Sequence, residues 1–255
     1  LQNEIAKRNI AIKIAYDGTH FFGFQKTKEG KSIEAELQNA AEKALQHSVS
    51  INTASRTDRG VHAKGQISTF HTFHKIELIK LKHILNCLLP KEIRIMDIAE
   101  APLSFHPTLD AKKKEYQYSI SLKPFIDPFI RRYAWHLPHA LNIELMKTAS
   151  TYLIGEKDFI CFQNSGRKAA TTIRNLERIE ISEGDILQIT LTGNSFLYKM
   201  VRNIVGTLVY VGLEKIKPDE LLEILEMKDR KKAGITAPAL GLCLNQVFYE
   251  PELFT

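Results

Sequence analysis

Asp58 stands between two guanidinium groups, Arg56 and Arg59, with Gly60 directly after it, in the segment Ala54-Ser55-Arg56-Thr57-Asp58-Arg59-Gly60-Val61-His62-Ala63-Lys64-Gly65-Gln66. Residues of these types at this spacing admit two chemistries. Asp-x-Gly between strand-like runs is ordinary turn chemistry, because Asp tolerates turn geometry and Gly permits positive φ. On that reading the segment is a hairpin loop with solvated charges. On the other, flanking cations favour the ionised carboxylate, and an ionised Asp on a rigid loop can attack an electrophilic carbon, as in retaining glycosidases. Those enzymes need a second carboxylic acid to protonate the leaving group and activate water. No second carboxylate lies near this loop in the sequence. A nucleophilic Asp58 therefore fits a reaction whose leaving group never leaves the site.

Such a loop needs strands to hold it, and strand-like runs flank it at Ser48–Asn52 and Gln66–Phe73. Ahead of them, Asn9–Tyr16 is Ile-rich and alternating, which predicts a strand ended by Asp17-Gly18. Ser32 is the expected N-cap of a helix over Ala35–Gln46, whose apolar face is Ile33, Leu37, Ala40, Ala41, Ala44 and Leu45. Ile76–Leu89 reads as an amphipathic helix stopped by Pro90, and Ile93–Ala99 as a strand. The order β-α-β-β-α-β is that of the ferredoxin-like split unit.

The remaining chain follows a similar order. Strands are expected at Lys112–Leu122, Tyr133–His136, Thr171–Ile181, Asp185–Leu191 and Leu242–Tyr249, and helices at Ile143–Leu153, Phe196–Val211 and Asp219–Met227. The expected fold is α+β: two ferredoxin-like α/β halves, 1–104 and 105–255, sharing a central antiparallel sheet with helices outside. The duplication rests on element order, since no repeat shows in the residues. Arg230-Lys231-Lys232-Ala233-Gly234 is the expected exposed basic loop.

Three further groups of residues could serve a site. Phe21, Phe22 and Phe24 are either core or a surface on which bases stack, with core favoured. Tyr116 and Tyr118 share one strand face with Lys114, as either cross-strand packing or part of a site. Arg202 lies in Tyr198–Val211, a helix apolar on nearly every side and hence buried. A guanidinium there either meets a carboxylate or snorkels to the surface. Gly206 in the same helix costs roughly 1 kcal/mol relative to Ala unless another element packs closely.

Composition narrows the class. At 255 residues, with 44% hydrophobic and 25% charged residues, the chain is an ordinary globular one of one large or two small domains. A net charge of +6 suits a polyanionic partner without requiring one. The three cysteines, Cys87, Cys161 and Cys243, have neither disulfide-framework nor zinc spacing. Their apolar neighbours predict buried small hydrophobes in a reducing compartment. No run is long and apolar enough for a membrane helix, and no signal-peptide core is present. The chain opens at Leu1 rather than Met, which leaves a trimmed or processed start open.

Ser55-Arg56-Thr57-Asp58-Arg59-Gly60-Val61-His62-Ala63 resembles the catalytic signature of the tRNA pseudouridine synthase A (TruA) family, usually Gly-Arg-Thr-Asp-x-Gly-Val-His-Ala. Further matching pieces are Tyr16-Asp17-Gly18 with Gly23-Phe24-Gln25, Tyr116-Gln117-Tyr118, Asp158-Phe159, Thr172-Ile173-Arg174, Gly193–Leu197, Met200-Val201-Arg202-Asn203 and Ala237–Leu242. They cover almost the whole chain in the expected order. The resemblance implies conversion of uridine to pseudouridine in the tRNA anticodon stem-loop, at positions thirty-eight to forty, by a cytoplasmic homodimer. It implies a basic cleft, no cofactor and no metal.

The resemblance also implies roles. Asp58 attacks the ribose C1′ or else removes a ribose proton, Arg202 pairs with Asp58, and Tyr116 stacks on the target base. Arg56, Arg59, His62, Lys64, Gln66, Phe105, Lys114 and Leu242 are the implied substrate-binding set, with Lys64, Lys112, Lys113, Arg167 and Lys168 holding phosphates. Two positions depart from the pattern: Ser55 replaces the usual Gly, and Thr108 replaces the Arg of Phe-His-Ala-Arg, read here as Phe105-His106-Pro107-Thr108. The Thr108 departure keeps open a synthase with other tRNA or RNA targets. A non-catalytic RNA-binding module is the rival from another class, but it needs neither the Arg56-Thr57-Asp58 loop nor an arginine inside an apolar helix.

Overall fold

The computed structural model describes residues 6–166 and 169–254. The chain forms two compact units, one of Leu1–Lys112 with Leu244–Thr255 and one of Lys113–Cys243. In chain order the first unit contains β1 (Arg8–Tyr16), α1 (Ile33–Leu45), β2 (Asn52–Thr53), β3 (His62–Thr72), α2 (Leu78–Leu88) and β4 (Ile93–Ala101). The second contains β5 (Lys113–Ser121), β6 (Trp135–His136), α3 (Ile143–Thr151), β7 (Gly155–Asp158), β8 (Ile173–Ser182), β9 (Leu187–Gly193), α4 (Met200–Gly212) and α5 (Glu220–Met227). The last strand, β10 (Leu242–Phe248), begins as the second unit ends and runs on into the first. This is a mixed α/β protein with a large sheet and, among the described residues, five α-helices.

In the first unit β1 lies between β3 and β4, antiparallel to both, and β2 adds to β3. A strand paired on both sides has no solvent edge, which is why Ile10, Ala11, Ile12 and Ile14 are all buried on it. A register shift between Ile14 and Tyr16 bends the end of β1 where it meets Ala63 at the start of β3. Ser32 caps α1, its hydroxyl accepting from the Ala35 N–H at 3.3 Å.

In the second unit β5, β9, β8 and β7 pair antiparallel in that order, and β6 adds to β5 in parallel. Lys114, Tyr116, Tyr118 and Ile120 form the buried face of β5. The helix α4 is the core of this unit: apart from Arg202 and Tyr210, all its residues are buried. Gly206 is the reason it can be. A Cβ at that position would overlap the Ile235 carbonyl oxygen, so the helix backbone lies directly against the chain at 234–237.

Several expectations need correction. The expected strand at Ser48–Asn52 shrinks to Asn52–Thr53, while β3 starts at His62 rather than Gln66. The last five residues of the presumed loop, His62–Gln66, are therefore strand, paired across the bend in β1. The helix expected from Phe196 begins at Met200, because Lys199 takes a left-handed φ of 61° and Phe196 turns toward Tyr116 instead. The strand β7 lacked any apolar alternation in Gly-Glu-Lys-Asp and was not anticipated. Cys161 is buried as expected, but Cys243 is half-buried and Cys87 is exposed on α2.

The basic loop at 230–234 is not simply solvated. The Arg230 guanidinium donates to the Asn203 side-chain oxygen at 2.8 Å and to the Gly234 carbonyl at 2.7 Å, tying the loop onto α4. Only Lys231 and Lys232 of its cations are exposed. No described helix is long and apolar enough to cross a membrane.

Candidate active site

The Asp58 loop is fixed from several sides within the first unit. Its turn closes with the Val61 N–H donating to the Asp58 carbonyl at 3.1 Å, and Gly60 supplies the positive φ of 78° that this needs. The Tyr16 hydroxyl, at the end of β1, lies 2.7 Å from the Thr57 hydroxyl. The Phe24 N–H donates to the Thr57 carbonyl at 3.0 Å. Gly23 sits at φ 97°, and a Cβ there would stand 2.8 Å from that same carbonyl, so only glycine allows the aromatic segment to approach the loop.

Gln66 clasps the other side. Its Nε2 donates to the Ser55 carbonyl at 2.6 Å and its Oε1 accepts from the Ser55 N–H at 3.2 Å. With no exposed surface and both amide ends engaged, Gln66 holds the loop rather than facing outward. His62 is also buried; its Nδ1 accepts from the Gly18 N–H at 3.1 Å and lies 3.2 Å from the Asp17 carboxylate. These contacts give Asp58, itself half-buried, a rigid backbone.

The cations of this loop point outward. Arg56, Arg59 and Lys64 are exposed. The Arg59 guanidinium rests over the Phe22 ring, 4.2 Å from its centroid, a cation–π contact. This divides the aromatic triplet: Phe21 and Phe24 are core, and Phe22 carries a guanidinium on its face. Phe105 is half-buried against Tyr249, with ring centroids 5.1 Å apart in an edge contact. The turn after it is tied down by the Tyr249 hydroxyl donating to the Pro107 carbonyl and by the Thr108 hydroxyl donating to the Thr53 carbonyl at 2.5 Å. Thr108 is thus bonded to the residue just ahead of the loop.

The second unit carries the other candidates. Tyr116 is buried, with its ring in edge contact with Phe196 at 5.1 Å. Tyr118 is fully buried, donates to the Pro238 carbonyl at 2.7 Å, and has its phenol driven far above the usual tyrosine range by burial. It is structural. Lys114 is buried on the same face, and burial, with the Arg174 guanidinium adding to it, pushes its ammonium down to about 8. Arg202 is half-buried and donates from Nε to the Ala237 carbonyl at 2.7 Å, which fixes the plane of its fork. Leu242 is buried at the start of β10. Lys112 is exposed, and Lys113 pairs with Glu177 at 3.2 Å. Arg167 and Lys168 lie outside the described residues. Among the described residues no cluster of three or more His, Cys, Asp and Glu side chains could hold a metal.

The site residues with no assigned role in the sequence reading are Tyr16, Gly23 and Phe196, and Phe22 is read there only together with Phe21 and Phe24 as core or a stacking surface. A signal existed for the first two, in the glycines placed beside aromatic residues after a strand. Nothing in the sequence marks Phe22 as the half-buried ring of its triplet, or Phe196 as the neighbour of Tyr116.

The tRNA pseudouridine synthase family profile matches residues 12–110 and 149–250. A tRNA pseudouridine synthase A 2 of Protochlamydia amoebophila (strain UWE25) is 47% identical over 247 residues, covering 95% of this chain and 94% of that protein. A tRNA pseudouridine synthase A of Thermoanaerobacter sp. (strain X514) is 45% identical over 243 residues, covering 95% of this chain and 100% of that protein. Another, from Geotalea daltonii (strain DSM 22248 / JCM 15807 / FRC-32), is 42% identical over 243 residues, with the same coverages.

Proposed function

The chain belongs to the tRNA pseudouridine synthase A family and isomerises uridine to pseudouridine in tRNA, and on that premise we propose that Asp58 is its nucleophile and the anticodon stem-loop, at positions thirty-eight to forty, its target. The observation that carries the assignment is the bracing of the Asp58 loop by Tyr16, Gln66 and Gly23. A nucleophile gains most when its geometry is set before the substrate arrives. The isomerisation breaks the N1–C1′ bond, turns the uracil and joins C5 to C1′, with the C5 proton lost and N1 protonated in its place. No water is consumed, so one carboxylate suffices.

The other roles follow from the same reading. Tyr116, held on edge by Phe196, gives the flipped uracil a face to stack on. Arg202 pairs with Asp58 and orients its carboxylate; the hydrogen bond from its Nε to Ala237 supports a fixed fork for a bidentate pair. Arg56, Arg59 and Lys64 meet phosphates, and Lys114, Phe105, His62 and Leu242 complete the walls of a basic cleft. Each unit is a ferredoxin-like half, supported in the first by the β4-β1-β3-β2 pairing order. The enzyme is cytoplasmic and works as a homodimer. A synthase with other RNA targets is the second reading, favoured by the anchoring of Thr108 to Thr53 where the family carries an arginine.

The test is Asp58→Asn. It is expected to abolish pseudouridine formation, at least a thousandfold below wild type, while tRNA affinity stays within a few-fold. Pseudouridine formation at a measurable fraction of the wild-type rate removes Asp58 from the nucleophile's role. Mapping the modified positions in tRNA treated with the wild-type chain decides between the two target readings.

A further inference from the structure

The segment between β5 and β6 presents the most exposed large apolar side chains among the described residues. Phe125 is 89% exposed and Phe129 is 88% exposed, with Tyr133 at 46% in the same stretch. Burying such rings is ordinarily favourable, and two of them left in water on one loop mark a contact surface. The loop is not slack. Pro124 and Pro128 restrict it, the Phe129 N–H donates to the Asp127 carboxylate at 2.8 Å, and the Ile130 and Arg131 N–H groups both donate to the Asp127 carbonyl at 3.1 Å. Its one acidic side chain is thereby engaged within the turn, and Arg131 and Arg132, both exposed, follow directly.

We propose that Phe125 and Phe129, with Arg131 beside them, form a stacking surface for unpaired bases of the tRNA outside the target nucleotide. The proposal rests on the tRNA activity of the family. Flat rings followed on the same loop by guanidinium groups suit single-stranded RNA, since bases stack on the rings while the cations meet phosphates. The charge of the loop complements RNA, and the triplet that could have supplied stacking rings elsewhere has Phe21 and Phe24 in the core. Ser121 lies five residue steps beyond Tyr116 along β5, roughly 17 Å at about 3.3 Å per residue, before the loop begins. The rings therefore serve a different nucleotide from the one stacked on Tyr116.

The experiment compares the full chain with Phe125→Ala/Phe129→Ala and Phe125→Trp/Phe129→Trp variants, reading tRNA affinity, KM, kcat and sedimentation. Each lost stacking ring is expected to weaken tRNA binding about fivefold or more. The alanine variant should therefore show a raised KM, unchanged kcat at saturating tRNA and unchanged sedimentation, and the tryptophan variant should bind as wild type does. Unchanged affinity in the alanine variant overturns the proposal. A drop in oligomeric size overturns it too, because a second copy of the chain then occupies the surface. Failure of the wild-type chain to bind tRNA would defeat the premise and the proposal together, whereas an active Asp58→Asn variant leaves the loop's role standing.

Discussion

Gln66 and Lys114 are polar residues buried for different ends. Gln66 exchanges two hydrogen bonds with Ser55, so its amide loses no partners on leaving water, and the Asp58 loop gains a clasp. Lys114 bears a charge that burial disfavours, and its ammonium titrates near 8 instead of 10.5. The sign follows from proton binding. Below pH 8 both the folded and unfolded chains hold the proton, and the cost of the buried charge is fully present. Between pH 8 and 10.5 the unfolded chain binds more of it, so this residue makes stability rise with pH by about 3 kcal/mol in all. Replacing Lys114 by Met is expected to raise the urea midpoint at pH 7 and to lose that advantage by about pH 10.5. A gain that is the same at both pH values would show that the charge is not the cause.

At the scale of elements, α4 illustrates why propensity does not decide a sequence position. Alanine is a better helix former than glycine by about 1 kcal/mol, so Gly206→Ala improves the isolated helix. In the folded unit its Cβ would overlap the Ile235 carbonyl, a backbone atom that cannot rotate away. Overpacking of this kind costs about 1–3 kcal/mol or more, and here it also pushes on Ala237, whose carbonyl holds Arg202. The expected outcome is a net loss of roughly 2 kcal/mol in urea denaturation with reduced kcat. A variant as stable as wild type would mean that the 234–237 segment yields easily. The same segment explains why the five-residue basic stretch misleads when read alone. Arg230 has a hydrogen-bond acceptor on α4 within reach, the Asn203 side-chain oxygen, and it outcompetes water.

At the scale of the molecule, the proposed pair of Asp58 and Arg202 joins residues far apart along the chain. A double-mutant cycle on stability, with Asp58→Ala, Arg202→Ala and both, addresses this directly. Contacting charges are expected to show a coupling of about 1 kcal/mol or more. Effects that add within a few tenths would place the two side chains apart.

The residue pattern alone determined the family and most of the elements, and it singled out the Asp58 loop as the candidate reactive segment. Periodicity and turn chemistry are local, and a long signature in a fixed order survives without knowledge of contacts. It could show that Asp58 lies in a loop with Arg56 and Arg59, and that α4 is buried. The braces of that loop were decided by tertiary structure. Tyr16, Gly23 and Gln66 reach Thr57 and Ser55 only because strand pairing and a register shift in β1 bring distant backbone together. Exposure was decided there too: Phe22 and Phe24 are the same residue type two positions apart, and only the packing around them turns one to a guanidinium and the other to the core.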